Sequence, residues 1–211
     1  MQLSVFDLDE TLLRVNCSFR YYAHLRTLKL FPTPSIFSSA FYLLKYKLFE
    51  LSPLELHKKV FDKFLKGKDK KKLEKEVSNF WDKHLDSFYY QPAIDRLKVS
   101  INRNDYTIIL SNSPDFLVEP IAKRFAVSEY KATKYSYDDN GFLTGIEVIM
   151  DGTAKANYIK KIKQDLNIKI AHAYSDSIWD LPMLEVVENP VAVNPDKKLR
   201  SIAQKRNWKI I

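Results

Sequence analysis

Four short apolar runs, residues 3–6, 107–110, 170–174 and 191–193, each break off abruptly into polar residues. Runs this short, without alternation of apolar and polar residues, are the pattern of strands buried on both faces. Such strands belong to parallel sheets covered by helices. Helical patterns lie between and after the runs at residues 116–125, 156–166 and 198–206, the alternation of strands with helices that such a sheet requires. The pattern predicts an α/β fold with a Rossmann-like parallel sheet as its core. In sheets of this kind ligands sit beyond the carboxyl ends of the strands, and three of the four runs end there on residues with chemistry to offer.

Two stretches interrupt the alternation. Residues 13–91 are rich in Leu, Phe, Tyr and Lys and poor in β-branched residues, which predicts helices. Ile36, Ala40, Leu43, Leu44, Tyr46 and Lys47 give one amphipathic pattern and Val60, Phe61, Phe64 and Leu65 another, with Pro32, Pro34 and Pro53 as breaks. The expected organisation is an all-helical cap over residues 13–91, inserted into a core formed by residues 1–12 and 92–211. The second interruption, residues 130–150, alternates around Asp138-Asp139-Asn140-Gly141 and predicts a β-hairpin.

Composition narrows the partners. A chain of 211 residues can bury a core and still carry an insert of this size. Cys17 is the only cysteine, so neither an internal disulfide nor a thiolate metal site can form. Met1 leads directly into the first apolar run without a basic start, and a cytoplasmic location is expected. The longest apolar candidate for a membrane span, residues 36–51, is interrupted by Lys45, Lys47 and Glu50. The net charge of +8 favours anionic partners: phosphate esters, anionic lipid surfaces or nucleic acid. Much of it falls in residues 66–75, which read more simply as a solvated helix face, so no stable nucleic-acid partner is expected.

The strand ends carry the chemistry. Asp7 and Asp9 stand where the first apolar run turns, and a turn there can gather both carboxylates around one small volume. Two close carboxylates repel; a divalent cation such as Mg2+, which takes oxygen ligands, relieves this, and the pair could equally serve as nucleophile and general acid/base. Ser111 emerges from the second run just before a helix, where a hydroxyl and nearby N–H groups can hold phosphate oxygens; Ser113 or Asp115 in the same segment reads as a helix cap. Lys155 follows Asp151-Gly152 in the first turn of a helix, a place where a cation calls for a local anion. Asp176 and Asp180 follow the third run. Their four-residue spacing puts both on one side of a helix, facing the first pair, with Asp180 able to hold a metal-bound water or Lys155.

Taken in this order, Asp7/Asp9/Thr11, Ser111, Lys155 and Asp176/Asp180 resemble the four motifs of the haloacid dehalogenase superfamily. The Ser-Asp-Ser-Ile-Trp-Asp-Leu-Pro-Met-Leu segment, Ala192-Val193-Asn194-Pro195-Asp196 and the closing Asn207-Trp208-Lys209-Ile210 are similar to its phosphoserine-phosphatase-like branch, subfamily IB. The resemblance implies a C1-type helical cap after the first motif, which is where residues 13–91 lie. It implies that Asp7 attacks phosphorus and that Asp9 protonates the leaving group and then activates water. Thr11, Ser111, Asn112 and Lys155 would contact the phosphoryl group. Mg2+ would be held by Asp7, Asp9 through its backbone carbonyl, and Asp176, with Asp180 supporting. Glu10 and Ser175 replace glycines usual in the family, and each is expected to add a side chain near the metal.

The expected function is therefore Mg2+-dependent hydrolysis of a small-molecule phosphomonoester. After the first motif come Arg14, Asn16, Ser18, Arg20 and His24 but no carboxylate until Glu50, which weakens the case for phosphoserine itself. Phe37, Phe41, Tyr42, Tyr46 and Phe49 suggest either an amphipathic lid for an apolar ester, with peripheral membrane or lipid-phosphate contact through the cap, or simply the packing of a small helical domain. His24, His57, His84 and His172 lack metal-ligand spacing, and Trp179 is expected to pack against the cap or sheet. The alternatives are a non-catalytic phospho-ligand or nucleic-acid binding protein, or a phosphotransferase of the same fold.

Overall fold

The computed structural model describes residues 1–30 and 53–211. Strands β1 (Leu3–Phe6), β2 (Tyr106–Pro114), β3 (Glu129–Tyr137), β4 (Leu143–Val148), β5 (Ala171–Ser175), β6 (Asn189–Ala192) and β7 (Lys209–Ile210) form one sheet, ordered β4-β3-β2-β1-β5-β6-β7. Every pair is parallel except β3 and β4, the expected hairpin. Its turn is fastened by Asp138 Oδ1, which accepts from the N–H groups of Asn140 (3.0 Å) and Phe142 (2.8 Å), and by Gly141, which takes a φ of 82°. The chain leaves β1 to build one side of the sheet and returns to build the other, so β1 is the switch point where α/β sheets open a crevice.

Burial of both faces explains the unalternating runs. Leu3 and Val5 of β1, with Ile108, Leu110, Ala171 and Ala173, face α7 (Gly152–Asp165), α8 (Leu181–Glu185) and α9 (Lys197–Lys205), meeting Ile159, Ile162, Met183, Leu184 and Leu199. Phe6, Ile109 and Tyr174 point the other way, towards α5 (Gln91–Asn102) and α6 (Asp115–Phe125). Phe6 stacks on Tyr174 with ring centroids 4.4 Å apart.

The described part of the insert consists of α1 (Cys17–Thr27), α2 (Pro53–Val60) with a wider helical turn at Phe61–Leu65, α3 (Lys70–Lys75) and α4 (Val77–Phe88). Phe61 is buried, while Val60, Phe64 and Leu65 are half-buried. The first amphipathic pattern, residues 36–47, and the aromatic group Phe37, Phe41, Tyr42, Tyr46 and Phe49 lie outside the described residues. Tyr21, Phe61, Phe80, Trp81 and Leu85 belong to the same apolar cluster as Phe6 and Ile109, so the insert and one sheet face share a core. Among the described residues no helix is long and apolar enough to cross a membrane.

Two sets of main-chain bonds join insert to sheet layer. At a neck, the Arg14 N–H donates to Phe88 O (2.7 Å) and the Tyr90 N–H to Leu12 O (2.9 Å). At a clasp, Gly67 N–H donates to Leu143 O (2.7 Å), Leu143 N–H to Lys68 O (2.9 Å) and Lys70 N–H to Gly141 O (2.9 Å). The lysine run therefore begins as part of the clasp, with Lys66 and Gly67 exposed ahead of α3, and its helical portion adds an exposed face at Lys71, Lys72 and Lys75. His57 adds a side-chain contact between insert and hairpin, 2.6 Å from the Tyr135 hydroxyl.

Candidate active site

The Asp7 N–H still donates to Tyr174 O (3.0 Å), extending the parallel ladder one residue past β1 before the chain turns. The turn closes with Leu13 N–H on Leu8 O (2.9 Å) and passes through Glu10 at φ 59°. A side chain in this left-handed region costs about 1–2 kcal/mol that glycine would not incur. The Glu10 side chain is exposed, and its charge reaches the site, adding to the rise of Asp176.

Lys155 is 2% exposed and is clamped between carboxylates, its Nζ 2.6 Å from Asp7 Oδ1 and 2.8 Å from Asp180 Oδ2. It reaches them from the first turn of α7, whose start is capped by Asp151 accepting from Ala154 N–H at 2.9 Å. Asp180 also accepts from the buried Ser175 hydroxyl at 2.7 Å. Ser175 thus anchors the Lys155 clamp. Residues Ile178–Asp180 form a single 3-10 turn, and Asp176 and Asp180 part company: Asp180 faces Lys155 and Asp176 faces Thr11.

Thr11 is fully buried. Its hydroxyl donates to Asp176 Oδ1 (2.9 Å) and accepts from the Asp176 N–H (3.0 Å), a double grip spanning 165 residues. The Thr11 hydroxyl thus ties the turn after β1 to the Asp176 backbone and carboxylate. Ser111 is buried at the site end of β2 and accepts from the Ser113 N–H at 3.1 Å. Asn112 is drawn to β3, where the Thr133 hydroxyl donates to its carbonyl (2.8 Å) and lies 3.3 Å from its side-chain oxygen. Asp9 turns its carboxylate towards the insert, accepting from Cys17 N–H at 2.7 Å and from the Ser113 hydroxyl at 2.5 Å.

Ser113 was expected to cap a helix; it bonds Asp9 instead, and Asp115 accepts from Phe116 N–H. Trp179 is 38% exposed rather than packed, and its contribution to packing is its backbone. A Cβ on Gly152 would stand 2.0 Å from the Trp179 carbonyl oxygen, so only glycine lets α7 start this close to the Asp180 turn. Gly152→Ala is expected to cost about 1–3 kcal/mol by pushing the start of α7 away from the Asp180 turn. An unchanged thermal midpoint would refute this.

Burial pushes Asp7 up to about 7, with Asp180 and Asp9 adding to the rise and Lys155 opposing it. Burial, then the charge of Asp7, holds Asp176 well above the ordinary carboxylate range. Burial also raises Asp9, against the pull of the Cys17 N–H and the Ser113 hydroxyl. For Lys155, burial opposes the charge but Asp180 and Asp7 outweigh it, so it is a firm cation. One cation among this many crowded carboxylates leaves the cluster short of positive charge, which is the setting a hard divalent ion satisfies. Among the described residues no three His, Cys, Asp or Glu side chains form a metal cage. The carboxylates of Asp7 and Asp176, close enough that the charge of the first raises the second, are the donors that could hold such an ion, and few protein donors suit Mg2+ because that ion keeps several waters.

A family model described as haloacid dehalogenase-like hydrolase matches residues 4–185. The chain is 34% identical over 130 residues to the inhibition of morphological differentiation protein of Streptomyces azureus, covering 60% of this chain and 47% of that one. It is 30% identical over 151 residues to the phosphoserine phosphatase SerB1 of Mycobacterium tuberculosis, covering 70% and 49% respectively. The chain thus spans about half the length of the curated relatives it matches. Among solved structures, a protein of unknown function from Bordetella pertussis Tohama I superposes with a TM-score of 0.87 at 24% identity, covering 100% of this chain and 97% of that one. A substrate-bound phosphoserine phosphatase gives a TM-score of 0.75 at 19% identity, with 100% and 92% covered.

Proposed function

The chain belongs to the haloacid dehalogenase-like hydrolase family, and from that premise we propose that it is a phosphomonoester hydrolase working through a phosphoryl-aspartate on Asp7, in the manner of the phosphoserine phosphatases it resembles. The observation that carries the proposal is the buried Lys155 bridge between Asp7 and Asp180 at the end of the switch-point strand. It gives the nucleophile a fixed orientation and places a permanent cation where phosphoryl oxygens would arrive.

In this reading the Asp7 carboxylate oxygen not bound to Lys155 attacks phosphorus in line. The bond from phosphorus to the ester oxygen breaks, and that oxygen leaves with a proton from Asp9. Water then attacks the phosphoryl-aspartate, gives its proton to Asp9 and releases inorganic phosphate, restoring the Asp7 carboxylate. Ser111 and Lys155 hold the phosphoryl oxygens, and Asn112 fastens the site end of β2 to β3 through Thr133. Asp180 orients Lys155, and Thr11 orients Asp176. Asp7, Asp9 through its carbonyl, and Asp176 would hold Mg2+, which would supply positive charge against the phosphoryl oxygens.

The test is phosphate release from phosphoserine, sugar phosphates, nucleotides and lysophospholipid phosphates, each with Mg2+ or EDTA. The expected result is release that requires Mg2+ and is stopped by EDTA. No release from any ester with Mg2+ present would overturn the proposal.

A further inference from the structure

Ser113 stands two residues past Ser111 and has no task in the mechanism above. It is 4% exposed, and the helix it precedes takes no side-chain cap from it. Its hydroxyl meets three partners: Asp9 Oδ2 at 2.5 Å, Ser18 Oγ at 2.7 Å and Cys17 Sγ at 3.3 Å. A hydroxyl has one proton to donate and two lone pairs to accept with, and an ionised carboxylate only accepts. With Asp9 ionised the direction is therefore fixed: Ser18 and Cys17 donate to Ser113, and Ser113 donates to Asp9. The other Asp9 oxygen takes the Cys17 N–H at 2.7 Å, the first amide of α1, where a helix favours negative charge. Both oxygens of Asp9 are thus held, one from β2 in the core and one from the first turn of the insert.

We infer that Ser113 is a positioning residue for Asp9, fixing the orientation from which that carboxylate serves the leaving oxygen and linking it to the start of α1 through Ser18 and Cys17. The inference rests on the phosphatase reading. It concerns one step of that reaction, protonation of the leaving group, and a leaving group needs this help in proportion to how poorly it departs unaided.

The experiment follows kcat and KM for wild type, Ser113→Ala, Ser113→Thr and Ser18→Ala on a matched pair, phenyl phosphate and para-nitrophenyl phosphate, with Mg2+. Ser113→Ala is expected to lower kcat on phenyl phosphate by about 10–100-fold, a part of the roughly 100–10,000-fold that general acid catalysis supplies. On para-nitrophenyl phosphate the loss should stay within about threefold, with KM unchanged on both esters. Ser113→Thr, which keeps the hydroxyl, should recover most of the loss. Ser18→Ala, which leaves the contact with Asp9 in place, should show the same pattern more weakly and guards against misfolding of the first variant. Equal losses on the two esters, or no loss on either, would overturn the role given to Ser113 while leaving the phosphatase reading intact. A wild type inactive on both of these esters and on every panel ester would overturn that reading and this inference with it.

Discussion

Asp7→Asn should abolish phosphate release, by on the order of 10^4-fold or more, while leaving the metal-free protein no less stable at about pH 8. The activity loss follows because an amide offers no anionic oxygen to attack phosphorus, and the bond to Lys155 does not supply one. The stability result follows from the direction of the Asp7 shift. Burial holds this carboxyl at about 7, above its ordinary 3.8, so the folded protein binds the proton more tightly than the unfolded chain. Such a group contributes stability that is fully present below 3.8 and is lost as pH rises through about 7. Asparagine is neutral throughout and removes that slope. Thermal unfolding in EDTA at about pH 5 and about pH 8 should show wild type losing more stability across the interval than Asp7→Asn does. Near-normal turnover in the variant would end the nucleophile assignment, and an unchanged slope would end the account of the buried charge.

Lys155→Met carries the largest expected cost in stability. The ammonium sits 2.6 and 2.8 Å from two carboxylates, and the three side chains are 3%, 8% and 8% exposed. Removing one member of a buried ionic set costs about 3–5 kcal/mol, since the charges left behind have neither partner nor water. For a protein of this size that corresponds to a fall in thermal midpoint on the order of 10 °C. The fall should be smaller near pH 5, where the orphaned Asp7 carboxyl, already raised by burial, takes a proton and sheds its charge. Asp180→Asn should be milder, because an amide oxygen still accepts from Lys155 and from Ser175. Calorimetry of both variants checks this order, and Lys155→Met unfolding with the wild-type midpoint would contradict it.

The fold was legible wherever burial leaves a continuous apolar mark. Residues 3–6 read as a strand and are one, because Leu3, Val5 and Phe6 are each buried on one face or the other and Ser4 bonds the buried Asp105. β2 is longer than its apolar run, since Ser111-Asn112-Ser113-Pro114 continues the strand with a shifted register against β3, and polar residues hide that continuation. The helix covering residues 156–166 starts earlier, at Gly152, under the cap supplied by Asp151. Within the site, residues that act at strand ends could be read from their position alone. Thr11 on Asp176 and Ser113 on Asp9 could not, because these pairs are 165 and 104 residues apart. Gly152 leaves no mark either: its requirement is set by the carbonyl of Trp179, a group every residue possesses.

The clasp at residues 67–70 and 141–143 has a consequence for how this chain can diverge. Its three bonds are all amide to carbonyl, and the turns that present them rest on Gly67 and Gly141, with φ of 72° and 82°, and on the Asp138 carboxylate. Lineages can therefore exchange the lysines and aromatics around it without unfastening the insert from the sheet. Proline at a donor position, which lacks the N–H, or loss of those glycines or of Asp138 would be filtered out.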